Sequence, residues 1–140
     1  MTSGLEIRAQ IDTESLRGLL VANGGGAVAL LTFLPFILAR PCYAPLAKGI
    51  LWALLSCQLG LVFALVHNRL RRICSLTYER HNYRPPPCHK VPFRWLRSQE
   101  PCVCHASILF MWLSLCAFVL AGVLVLIRGL EAVSKCSIAA

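Results

Sequence analysis

An all-α polytopic membrane protein with three transmembrane helices is the fold this sequence predicts. Three observations predict it. Residues 18–39 and 106–127 contain no Asp, Glu, Lys, Arg or His, and residues 49–66 form a third uncharged stretch nearly as long. A helix needs about 20 mostly apolar residues to cross a hydrocarbon core of about 30 Å. Finally, only 14% of the 140 residues are charged while 57% are hydrophobic. Three spans use nearly half of the chain, and the remainder is too short for a soluble domain of ordinary size, about 100 residues or more.

The chain divides into 1–17, an N-terminal helix or lead-in; 18–39, the first span; 45–67, the second; 68–105, a basic connection; 106–127, the third; and 128–140, a tail. Ser3 and Glu6 have capping-box spacing ahead of a short helix. That helix either lies on the membrane surface or runs straight into the first span, where Asp12 and Thr13 offer a second cap. Acidic residues in this flank, and an apolar stretch too long for a cleaved leader, point to a retained first span.

Small residues recur every four positions within the spans. Gly18, Ala22 and Gly26 form one stripe in the first span, with Gly24 and Gly25 widening it. Gly49, Ala53 and Cys57, then Gly60 and Ala64, do the same in the second, and Ala117 and Ala121 in the third. Such stripes let helix backbones approach closely, either within one chain or between chains. Asn23 and Gln58 lie mid-span and are expected to hydrogen-bond across helices. Pro35 removes one backbone bond and is expected to kink the far end of the first span. The third span also carries Phe110, Met111, Trp112 and Phe118, suited to lipid contact or gap filling.

The second span is expected to continue as a helix to about Glu79, because His67 to Glu79 contains neither Gly nor Pro. Asn82 to Pro87, ending in three prolines, would stop it. Val91 to Arg97 interleaves apolar and basic side chains as a headgroup-layer anchor does.

Charge sets the expected orientation. Ten of the fourteen Lys and Arg fall in the N-terminal flank and the second connection, against four in the first connection and tail. Lys and Arg are retained on the cytoplasmic side. The sequence therefore predicts a cytoplasmic N-terminus in the plasma (inner) membrane, with Arg69, Arg71, Arg72, Arg94, Trp95 and Arg97 meeting lipid headgroups or an acidic partner. The net charge of +8 is read as lipid-directed rather than nucleic-acid-directed, since no nucleic-acid module is legible.

Eight cysteines sort by this topology. Cys42 and Cys136 share one side and could form a disulfide. Cys57 and Cys116 share a depth inside the bilayer and read as packing residues. Cys74, Cys88, Cys102 and Cys104 fall on the cytoplasmic side, where Cys88, His89, Cys102, Cys104 and His105 carry zinc's preferred donors, although without a Cys-x-x-Cys pair. Reduced thiols are the favoured reading there, with zinc as the alternative. His67 and His81 read as polar boundary residues.

No other catalytic constellation is legible. No charged side chain lies mid-span, which argues against an ion-coupled carrier. Walker, nucleophile-elbow and His-Glu-x-x-His motifs do not occur. The run Leu19-Leu-Val-Ala-Asn-Gly-Gly-Gly-Ala-Val-Ala-Leu-Leu31, after its acidic-polar lead-in, resembles the first span of small bacterial multi-pass inner-membrane proteins without an assigned activity. That likeness covers about the first third of the chain and implies a bacterial inner membrane but no functional residue. The expected function is non-enzymatic and cofactor-free: assembly of membrane helices, as a homo-oligomer or an accessory subunit of a larger complex. The alternatives are an oligomeric membrane-disrupting effector and a metal-binding or thiol-redox membrane protein.

Overall fold

The computed structural model describes residues 4–80 and 102–138. Three long helices account for nearly all of them: α1 Gly4–Leu38, α2 Ala44–Arg80 and α3 Cys102–Ile138. A 3-10 turn at Pro41–Tyr43 joins α1 to α2. No strand occurs among the described residues. Ser3, His81, the proline run at 85–87, Cys88, His89 and the segment Val91–Arg97 with Arg94 and Trp95 lie outside the described residues.

All three helices are long and apolar enough to cross a membrane, and the distribution of side chains fits lipid rather than water around them. Large apolar side chains face outward on every helix, among them Phe33 and Phe36 on α1, Leu55 and Leu65 on α2, and Leu120 and Leu126 on α3. The interior instead holds small and polar residues: Ala53, Cys57 and Ala121 pack as a core, with Asn23, Ser56 and Ser114 nearby in the bundle. In water this would be an inside-out protein. In lipid it is the expected arrangement, because tails solvate Leu as well as another Leu does and close backbone packing holds the helices together. The chain is a multi-pass, all-α membrane protein.

Each helix overshoots the bilayer. At 1.5 Å per residue, α1 with 35 residues and α2 and α3 with 37 each are about 52–56 Å long. α1 runs unbroken from Gly4, so its lead-in continues into the first span, and positions 12 and 13 lie inside the helix rather than at its start. α2 reaches Arg80, as the absence of Gly and Pro requires. The segment 128–138 read as a tail is the last part of α3. Pro35 sits near the end of α1, which stops at Leu38.

α2 and α3 are antiparallel and pack most extensively; α1 lies chiefly on α2. The inward face of α2 runs Ala53, Cys57, Gly60, Ala64 and His67, alternating four and three residues apart, and then Cys74 seven residues further on. That spacing keeps one face of α2 turned toward its antiparallel partner along the helix. The bundle thus has two ends. The turn end carries Pro41–Tyr43 and the end of α3; the loop end carries Arg80, Cys102 and the start of α1.

Candidate functional site

The site that organises this molecule is the seam between α2 and α3, together with α1 where it presses into that seam. Gly60 on α2 leaves a gap that the Asn23 side chain of α1 fills. A Cβ added at Gly60 would stand 2.6 Å from Asn23 Cγ, closer than atoms can approach. Asn23 is fully buried at 0% exposure, and its Nδ2 donates to the Leu19 carbonyl at 3.1 Å and to Ser114 Oγ at 3.3 Å. Ser114 on α3 in turn donates to the Gly60 carbonyl at 2.8 Å. One polar node therefore ties all three helices at one depth. Asn23 Oδ1 has no hydrogen-bond partner and is buried.

Two further polar ties join α2 to α3. Ser56 Oγ donates to the Ala117 carbonyl at 2.9 Å. Near the loop end, His67 and Ser107 bond reciprocally. His67 Nδ1 lies 2.8 Å from the Ser107 carbonyl, which fixes the tautomer: Nδ1 carries the proton and donates. Ser107 Oγ donates to the His67 carbonyl at 3.3 Å and also stands 2.9 Å from Nδ1. His67 is thus a buried tie between helices, not the boundary residue its sequence position implied.

Cystines clamp the same seam at both ends. Cys42 and Cys136 form the disulfide expected at the turn end, with Cα atoms 5.5 Å apart. Cys74 and Cys104 form a second at the loop end, with Cα atoms 5.3 Å apart. Both separations suit a disulfide. Cys74 to Cys42 spans the same number of residues as Cys104 to Cys136, so the α2–α3 register holds from one bridge to the other. Along the axis that spacing is about 48 Å. It exceeds the hydrocarbon core and slightly exceeds the full bilayer of about 40–45 Å. The bridges therefore belong to opposite membrane faces.

The cystines bear on two of the candidate zinc ligands. Cys104 is bonded to Cys74, and Cys102 is also disulfide-bonded, so neither is a free thiolate for zinc while its bridge is intact. Among the described residues no group of three metal-ligating side chains is assembled. Reduced thiols at Cys102 and Cys104 are likewise corrected. Among the described residues Cys57 and Cys116 are free; Cys57 is buried beside Gly26, whereas Cys116 is exposed.

Most of the small-residue assignments find a neighbour. Gly49, Ala53, Cys57, Gly60, Ala64, Ala117 and Ala121 are all buried. Gly26 receives the Phe118 ring, and Phe118 so fills the gap between α1 and α3. Ala22 is half-buried. Gly18 is the exception: nothing lies within 4 Å of the place its Cβ would occupy. Gln58 is a clear correction, because it points out of the bundle and makes no interior tie. It is one residue past Cys57, about 100° around the helix from the seam. Arg69 and Arg72 are exposed and Arg71 half-buried near the loop end, where Arg71, Arg72, His67 and Thr13 border a groove of about 270 Å³ between α1 and α2.

Comparison with known proteins found no matching family model, no matching curated protein and no matching solved structure.

Proposed function

We propose that this protein is a non-enzymatic membrane component that works by helix assembly, with a clamped α2–α3 hairpin as its rigid part and α1 as the arm that meets a second copy. The observation that carries this reading is how the interior polar groups are used. Asn23, Ser56, His67, Ser107 and Ser114, the buried polar side chains of the described residues, each bond to another helix of the same chain. Groups spent in this way close the bundle and line no path for a solute.

α1 supplies the surface for a neighbour. Gly18 and Gly25 lie two turns apart on its outward face, and nothing stands within 4 Å of either. Glycine inside a helix is less favourable than alanine by about 1 kcal/mol. Within this chain neither position uses the space; a second helix packed on that face would use it.

The same reading places the chain in a cell inner membrane with its N-terminus and basic loop end in the cytoplasm, on the charge asymmetry. Cys74–Cys104 would then face a reducing compartment. The bridge cysteines are 4% and 1% exposed, which restricts attack by a soluble thiol.

The test is co-purification of two differently tagged copies from membranes in mild detergent. Co-purification that Gly25→Leu reduces and Gly122→Leu leaves intact supports the reading; Gly122 is an open glycine on α3. Strict monomers, or equal effects of both substitutions, contradict it.

A further inference from the structure

We propose that the turn end of the bundle holds one anionic phospholipid by its phosphate, in a groove between the start of α2 and the end of α3. The groove has a volume of about 680 Å³ and is lined by Lys48 and Trp52 of α2 and Arg128, Glu131 and Lys135 of α3. Three cations thus face one carboxylate. Glu131 Oε2 accepts from Arg128 at 2.8 Å, so Lys48 and Lys135 remain the unbalanced charges of the groove among the described residues.

The site is shaped as well as charged. The Arg128 stem crosses α2 at Gly49, and a Cβ there would come within 2.6 Å of Arg128 Cβ and Cγ. Glycine at 49 lets the stem lie against the α2 backbone while the head group reaches Glu131. Ala44 and Pro45, which open α2, also line the groove. The neighbouring Cys42–Cys136 bridge fixes the two walls relative to each other.

Depth selects a lipid over a soluble anion. Lys48 immediately precedes the uncharged run 49–66, and Arg128 immediately follows the uncharged run 106–127. Both cations therefore stand at the boundary where phospholipid phosphates lie. Trp52, one turn deeper and 63% exposed, occupies the interfacial level that indole rings favour. This groove is at the opposite end from the Arg-rich loop, so bulk attraction of that loop to acidic lipid does not account for it.

The experiment uses the full chain in detergent, titrated with phosphatidylglycerol, phosphatidylcholine or inorganic phosphate and read by native mass measurement. Phosphatidylglycerol is expected to stay bound where phosphatidylcholine does not, and excess inorganic phosphate is expected not to displace it. Lys48→Gln and Lys135→Gln should each lower the retained lipid about five-fold, the effect of one interfacial cation. Lys48→Arg should restore it, and Arg17→Gln on exposed α1 surface near the loop end should leave it unchanged. Mobility on a non-reducing gel checks that each variant keeps its bridges. Equal retention of phosphatidylcholine, displacement by phosphate, or an equal loss with Arg17→Gln overturns the proposal.

Discussion

Asn23 stands where a side chain on Gly60 would stand. The two residues come from different helices and are mutually dependent: the amide packs there only because position 60 has no Cβ. Gly60→Ala is therefore expected to push α1 off the hairpin and destabilise the bundle by about 1–3 kcal/mol, the usual penalty for overpacking. Asn23→Ala in the same chain should recover most of that loss, because it removes the group being struck. Unfolding of single and double variants in bicelles gives the coupling between the sites. Additive effects would mean that the two residues do not share this space.

The polar ties should matter unequally. Ser114 bonds both Gly60 and Asn23, whereas Ser56 makes one bond to Ala117. Interhelical hydrogen bonds in membranes average about 0.6 kcal/mol each. Ser114→Ala is expected to cost more than Ser56→Ala, and the same unfolding measurement ranks them. The reverse order would contradict the node.

The two bridges should act on different helix ends. Cys42→Ser removes the tie that closes the larger loop, whose partners are separated by 94 in sequence, and Cys74→Ser the smaller, separated by 30. In the chain-entropy picture each is worth at most about 3–5 kcal/mol, and nesting makes them non-additive. Hydrogen exchange is expected to show loosening confined to residues 68–80 and the start of α3 in Cys74→Ser. In Cys42→Ser the loosening should be confined to the turn end. Uniform loosening in both variants would show that neither bridge acts locally.

How much of this was legible in the sequence follows from what the bilayer enforces. Spans must be contiguous, uncharged and about 20 residues long, so α1, α2 and α3 were visible as runs. The extension of α2 was visible because nothing between His67 and Arg80 breaks a helix. Asn23 was legible as an interhelical donor, but its companion was not: Ser114 is 91 residues away, and a serine in an apolar span has no period of its own. Gln58 was misplaced because polarity alone was weighed. The spacing Ala53, Cys57, Gly60, Ala64 already leaves position 58 off the seam. The Cys74–Cys104 bridge was missed for a similar reason. Once Cys42 is paired with Cys136, equal helical travel along antiparallel helices brings 74 opposite 104, and topology by charge had instead treated these thiols as free.

The central claim is that the bundle crosses a bilayer with its two cystine-clamped ends on opposite faces. Single added cysteines at exposed Arg80 and exposed Ser134, tested in intact cells with a membrane-impermeant maleimide, address it directly. The account predicts labelling of one position alone in intact cells and of both after the membrane is permeabilised. Labelling of both positions in intact cells would place the two ends on the same face and contradict the fold described here.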